Sequence, residues 1–150
     1  MEYRQVTSDQ LEYLKSQDSP TIANAIETYD KLSRTEGYMT PDIRCLFPEL
    51  GPMVGYAVTV TVSAHKTESA VPRSELWEYV LTIPSPRILV MHDVDDPVVG
   101  AFWGEVQSNI FTALGCIGTI TDGSVRDLPV VRELGFQFAA KHVSVSHGYT

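Results

Sequence analysis

The chain has 150 residues, 43% of them hydrophobic, which is enough for one domain, residues 1–150, with its own core. Its 11 basic against 19 acidic residues give a net charge of −8, which argues against sequence-independent nucleic-acid binding and against a polybasic membrane foot. No apolar run approaches the roughly 20 residues of a membrane span, and the start MEYRQVTSDQ lacks a basic and apolar signal segment, so a cytosolic protein is expected.

In chain order, Thr7-Ser8-Asp9 offers a cap for a helix through Leu11 and Leu14. A second helix is predicted from Ser19 as N-cap and Pro20 at the first helical position, with Ile22, Ala25 and Ile26 as an apolar stripe and Asn24 among them. The helical N-terminal segment thus covers 8–30, and residues 30–52, rich in Gly, Pro and charge, read as loop. An α/β core is expected over 52–145. It opens with a period-two strand at 54–62, where Val54, Tyr56, Val58, Val60 and Val62 alternate with smaller residues. RSELWEYVLT at 73–82 predicts a helix, stopped by Pro84 and Pro86, and 88–91 a short buried strand.

Gly100 to Gly104 reads as a small-residue loop feeding a helix from Glu105 to Leu114, with Gly115 as its stop. A strand at 117–121, a turn at Asp122-Gly123-Ser124, a helix capped by Asp127 and running through Leu134, and a strand at 136–145 complete the order. Strand, helix, strand, helix, strand from residue 88 predicts an α/β arrangement with largely parallel pairing. VSVSHGYT at the end reads as stopping inside continuing structure, so further C-terminal strands are expected. Cys45 and Cys116 lie in apolar contexts, RCLF and LGCIG, and are read as buried thiols.

The chemistry concentrates between Gly100 and Gly135. Glu105 at a helix start is either a first-turn acid favoured by the helix dipole or part of a site; the glycines before it let backbone approach a ligand. Arg126-Asp127 after a strand is either a solvated Arg beside a capping Asp or a pair acting on one substrate. Arg offers a planar fork for carboxylates, and Asp a hard oxygen for Mg²⁺ or Mn²⁺. His92 with Asp93, Asp95 and Asp96 is either a solvated acidic loop or a metal cluster. Gly37, Tyr38 and the segment 65–75 are candidates for shaping a pocket. No GxSxG, HExxH, CxxC or phosphate loop occurs.

These residues carry a resemblance. GYAVTV at 55–60, GAFWGE at 100–105 and GCIGTITDGSVRD at 115–127, with Glu105 and Arg126 enclosing residues 106–125, resemble the RraA-like proteins. That family includes the regulator of ribonuclease E activity and the class II 4-hydroxy-4-methyl-2-oxoglutarate aldolases. The resemblance implies a layered β/β/α swivelling domain, assembled as a homotrimer or hexamer with active sites between neighbouring subunits. It implies Mg²⁺ or Mn²⁺ as cofactor, with Asp127 as metal-binding residue and Glu105 holding metal-bound water. Arg126 would contact a small 2-oxo acid, and backbone N–H groups around Trp103, Gly104 and Glu105 its carboxylate. The implied reactions are retro-aldol cleavage of 4-hydroxy-2-oxo acids to pyruvate and decarboxylation of oxaloacetate. The chain departs from the aldolase pattern in having Glu105 where Asp is usual, Val130 where an acid often stands, and Asn24 where Asp is common. A further acid, supplied in the family from a neighbour's C-terminal region, would lie beyond Thr150. The rival implication is a non-catalytic module that binds and modulates a ribonuclease or another protein.

Overall fold

The computed structural model describes residues 5–29, 33–65 and 70–148. The first residues of the N-terminal stretch, 30–32 at the junction of the predicted helical segment and loop, and 66–69 of the segment 65–75 lie outside them. The chain forms two compact units, Met1–Thr40 and Pro41–Thr150. The expected helical segment falls in the first unit and the expected α/β core in the second.

In the first unit, α1 (Ser8–Lys15) starts on a capping box, with the Thr7 hydroxyl accepting from Gln10 N–H and the Gln10 side chain returning to Thr7 N–H. α2 (Ser19–Glu27) is capped one residue earlier than expected. The Asp18 carboxylate accepts from Thr21 N–H at 2.7 Å, which makes Ser19 the first helical residue and Pro20 the second. That bond holds the Asp18 carboxyl below its ordinary range.

The second unit is a mixed α/β fold around a six-stranded sheet. Its strands are β1 (Arg44–Cys45), β2 (Tyr56–Val62), β3 (Arg87–Asp93), β4 (Ala101–Trp103), β5 (Cys116–Val125) and β6 (Gln137–Val143). The helices α3 (Arg73–Thr82), α4 (Glu105–Ala113) and α5 (Leu128–Glu133) connect them, and a 3₁₀ turn spans Pro48–Leu50. The order is β1-β6-β5-β3-β2, with β4 also on β5. β2–β3, β3–β5, β4–β5 and β5–β6 are all parallel, as the alternation predicts, and among the described residues only β1 runs antiparallel, to β6. α4 and α5 stop at Gly115 and Gly135, whose φ of 76° and 71° suits a residue without a side chain.

Several readings change in this unit, among them the expected loop 30–52, which holds β1 and the 3₁₀ turn. β4 occupies what reads as a small-residue loop. Asp122-Gly123-Ser124 is not a turn: β5 runs straight through it, because β6 pairs with Ser124 and Val125 beyond an irregularity at 121–124. Cys45 is exposed, since it sits on the outermost two-residue strand; Cys116 is buried, and loss of water pushes its thiol up to about 11.

β5 explains where polar side chains gather. β3 pairs with it as far as Met91↔Thr121, and β4 takes over on the same side at Ala101↔Ser124. The segment from β3 to β4 therefore crosses a gap beside Asp122. The parallel strands β2 to β6 send their carboxyl ends to one rim of the sheet, where open α/β folds place ligands. Beneath that rim lies the aromatic core. Trp103 is fully buried, with ring centroids 4.9 Å from Phe111, 5.3 Å from Phe136 and 6.5 Å from Phe138. Its indole N–H donates to the Met91 sulfur.

Candidate functional site

Two strand-to-helix junctions meet at the rim. The first is β4, Gly104, α4; the second is β5, Arg126-Asp127, α5. Arg126 N–H donates to the Trp103 carbonyl at 2.8 Å, which ties the junctions together through backbone alone. Asp127 is the one non-glycine residue with positive φ among the described residues, at φ 58° and ψ 35°. An N-cap normally has extended backbone and turns its side chain onto its own helix. Asp127 does neither. Its carboxylate makes no capping bond to α5, contrary to the sequence reading, and Oδ2 instead accepts Glu105 N–H at 3.0 Å. Asp127 thus caps the neighbouring helix α4, whose own N-cap, Gly104, has no side chain to do so.

Arg126 Nε stands 3.6 Å from the same Asp127 oxygen, and Nη1 donates to the Val145 carbonyl at 3.4 Å. Both side chains keep about a third of their surface or more in solvent, 35% and 40%, so the ion pair is weak and the guanidinium edge remains accessible. Glu105 is the first residue of α4 and is exposed; its carbonyl accepts from Asn109, and its carboxylate has no hydrogen-bond partner among the described residues. The structure therefore brings Glu105, Arg126 and Asp127 together by main chain and by one carboxylate. The Trp103 side chain belongs to the core.

Gly104 makes the arrangement possible. A Cβ there would collide with Asp127 Oδ2 and lie 3.1 Å from Arg126 Cγ. Gly104→Ala is expected to push the Asp127 carboxylate off α4, with a stability loss of about 0.5–2 kcal/mol, the usual effect of losing a helix cap. Urea unfolding checks this; an unchanged midpoint would show that the carboxylate is not held there.

The donors fit a hydrated hard cation. Asp127 has one oxygen engaged and one to offer, and the Glu105 carboxylate is uncommitted. Among the described residues no group of three or more His, Cys, Asp or Glu is placed to hold a metal ion. Mg²⁺ accepts such sparse sets, since it retains waters and takes one or two carboxylates together with substrate oxygens. A closed zinc cage does not fit.

A second polar cluster stands at the gap between β3 and β4. Asp122 Oδ2 meets His92 Nδ1 at 2.6 Å, and Oδ1 accepts Asp93 N–H at 2.8 Å. Asp93 Oδ1 accepts Asp95 N–H at 3.0 Å, and Asp95 takes the Ser63 hydroxyl at 2.7 Å and Ala64 N–H at 2.6 Å. The grouping of His92 with Asp93, Asp95 and Asp96 was visible in the chain; the partner Asp122 was hidden by its turn-like context. These carboxylates latch the ends of β2, β3 and β5 together beside an open cleft of about 290 Å³, which Lys141 and His142 also line. Burial is the largest influence on Asp122, but the Asp93 N–H and His92 outweigh it and hold this carboxyl low. Asp95 is held low chiefly by Ser63.

Asp93, 7% exposed, is raised, first by burial and then by the charges of Asp95 and Asp122. A carboxyl raised in the folded state stabilises the fold below its unfolded value, and that contribution is lost as pH rises through the folded value. Asp93→Asn removes the titration. Its stability relative to wild type should therefore increase from pH 4 to pH 7 in paired urea titrations; a constant difference would refute the assignment.

A model of the RraA-like family, described as Aldolase/RraA, matches residues 19–150. No curated protein matches the sequence. Among solved structures, the chain is similar to Streptomyces coelicolor RraAS2, described as an unusual member of the RNase ES inhibitor RraA protein family. Identity is 21% and the TM-score 0.70, over 95% of this chain and 68% of that one. An uncharacterized protein from Pseudomonas syringae pv. tomato str. DC3000 matches at 17% identity and TM-score 0.66, over 98% and 62% of the two chains. A structure described as novel cellulases from microbes associated with the gut ecosystem matches at 11% and 0.75, over 98% and 64%. At such identities the likeness is one of fold. The chain spans 68% of the first of these proteins and less than two thirds of the other two. Among the described residues no helix is long and apolar enough to cross a membrane.

Proposed function

The chain belongs to the RraA-like family, which takes in both metal-dependent aldolases and non-catalytic RNase E inhibitors, and on that premise we propose a carbon–carbon lyase acting on small 2-oxo acids. The observation that supports this reading is the meeting of Arg126, Asp127 and the head of α4 at one point of the rim, with Glu105 beside them. Asp127, aided by Glu105, would hold Mg²⁺ or Mn²⁺, which when bound supplies Lewis-acid polarisation of the 2-oxo and carboxylate oxygens.

The chain's own groups do the rest. In oxaloacetate the C3–C4 bond breaks, CO₂ leaves, and the electron pair moves onto the C2 oxygen as an enolate. The Arg126 guanidinium faces that oxygen and stabilises the charge as it builds. Backbone N–H groups at the start of α4 take the substrate carboxylate, and a water held by the Glu105 carboxylate gives a proton to C3 to yield pyruvate, the hydroxide left behind being reprotonated from solvent. Retro-aldol cleavage of a 4-hydroxy-2-oxo acid reaches the same enolate. Assembly as a homotrimer or hexamer belongs to this proposal, with a neighbour supplying the further acid. Purified protein should turn over oxaloacetate with Mg²⁺, fall to the spontaneous rate in chelator, and recover when Mg²⁺ is added in excess. Turnover that is indifferent to chelator would overturn the reading.

A second reading has two observations in its favour, the fold shared with RraAS2 and the net charge of −8. An acidic module could cover a basic region of a ribonuclease or another protein. It predicts salt-sensitive capture of the partner that Arg126→Ala leaves unchanged.

A further inference from the structure

We propose that the cleft at the end of β3 binds a small primary alkylammonium ion, whose N–H donors meet the Asp93 and Asp96 carboxylates. The inference does not rest on the lyase reading, since none of Glu105, Arg126 and Asp127 lines this cleft.

The hydrogen bonds sort the four carboxylates that line the cleft. Asp122 has both oxygens taken, by His92 and by Asp93 N–H, and Asp95 has both taken, by the Ser63 hydroxyl and Ala64 N–H. Asp93 Oδ1 takes Asp95 N–H. Asp93 Oδ2 and the Asp96 carboxylate are left without a donor among the described residues. Water can serve Asp96, which is exposed. Asp93 is more than nine-tenths buried, at 7% exposure, and a buried acceptor without a donor is costly. Its Oδ2 is nevertheless not sealed: among the described residues the enclosed side-chain atom without a partner is Ser144 Oγ. The part of Asp93 that meets solvent does so in the cleft it lines. Gly123 keeps the room for this oxygen, since a Cβ there would stand 2.8 Å from it. Burial raises the Asp93 carboxyl and the charges of Asp95 and Asp122 add to it, so a cation that also donates hydrogen bonds would relieve each of these. The chain does not supply one. Lys141 lines the cleft but is paired with Asp42 at 3.6 Å.

The chemistry of the ligand follows from the walls. An ammonium group brings three donors, and Pro97 and Val98 offer its methylenes apolar surface. A hydrated Mg²⁺ gains nothing from such a wall, and among the described residues no group of three or more His, Cys, Asp or Glu is placed to hold a metal ion. At about 290 Å³ the cleft stands at the small end of ligand sites, which suits a short amine.

The test follows the Asp carboxyl carbons of the whole protein by NMR while n-butylammonium chloride is added. Expected are saturable shifts at Asp93 and Asp96 and a fall in the pH at which Asp93 titrates. Tetramethylammonium chloride, with the same charge and no N–H, should give neither, nor should NaCl at the same concentration. Asp93→Asn keeps an oxygen for Asp95 N–H, so the fold is retained, and it should weaken n-butylammonium binding, read at Asp96, by about tenfold or more. The exposed Asp96→Asn should weaken it by about two- to fivefold, read at Asp93. Equal shifts from tetramethylammonium would reduce the effect to charge screening and overturn the proposal. MgCl₂ that produces the same saturable shifts and displaces n-butylammonium would make this a metal site and overturn it too. Wild-type affinity in Asp93→Asn, or no saturable shift in wild type, has the same consequence.

Discussion

Replacing Arg126 by alanine is expected to lower Mg²⁺-dependent turnover of oxaloacetate by roughly 10²–10³, the effect of losing one preorganised donor at a developing oxyanion, worth about 2.7–4 kcal/mol of barrier. The fold should survive. The Arg126 N–H that joins the two junctions belongs to the backbone and remains in alanine. The side chain contributes one carbonyl contact and an exposed ion pair, and exposed pairs stabilise by about 0.2–1 kcal/mol. The substitution therefore separates catalysis from folding: kcat falls while the urea midpoint stays close to wild type. Arg126→Lys keeps the charge but not the planar fork and should recover only part of the rate. Turnover that is equal in wild type and Arg126→Ala would leave the enolate mechanism without its central group.

The largest stability effect is expected at Trp103. Trp103→Ala should cost about 3–5 kcal/mol, as other Trp-to-Ala changes in cores do. Its ring is fully buried and packs between Phe111 on α4, Phe136 ahead of β6 and Phe138 within it, so no neighbour can close the space from one side. A domain of this size is stable by about 5–15 kcal/mol, so the loss takes a large share of the total. The damage also reaches the rim, because the next residue is Gly104 and the Trp103 carbonyl receives Arg126 N–H. Denaturant unfolding should show a lowered midpoint with an unchanged slope. A loss below about 1 kcal/mol would mean that the aromatic cluster is not the core it is taken to be here.

Much of this was legible in the chain, and the exceptions share a cause. α3 coincides with the predicted 73–82, because amphipathic spacing and the flanking prolines are local signals. β2 and β6 fall within two residues of their predicted ends for the same reason. β4 was not legible. Ala101-Phe102-Trp103 becomes a strand only because β5, more than ten residues further on, offers Ser124 and Val125 as partners. Asp122-Gly123-Ser124 has turn composition, yet parallel pairing with β6 overrides it. At the site, the sequence marked Glu105, Arg126 and Asp127 as polar groups at element ends. It could not show that Asp127 takes a left-handed backbone, and that angle decides which helix its carboxylate reaches.

The position of β5 has a consequence for synthesis. β2 and β3 can pair through α3 as soon as both have left the ribosome. Among the described residues the named strand that β4 pairs with is β5, and its further bridge, Ala101 to His147, lies later in the chain, so Trp103 waits in the nascent chain until Cys116–Val125 have emerged. For that interval its indole, the centre of the finished core, is apolar surface open to a chaperone.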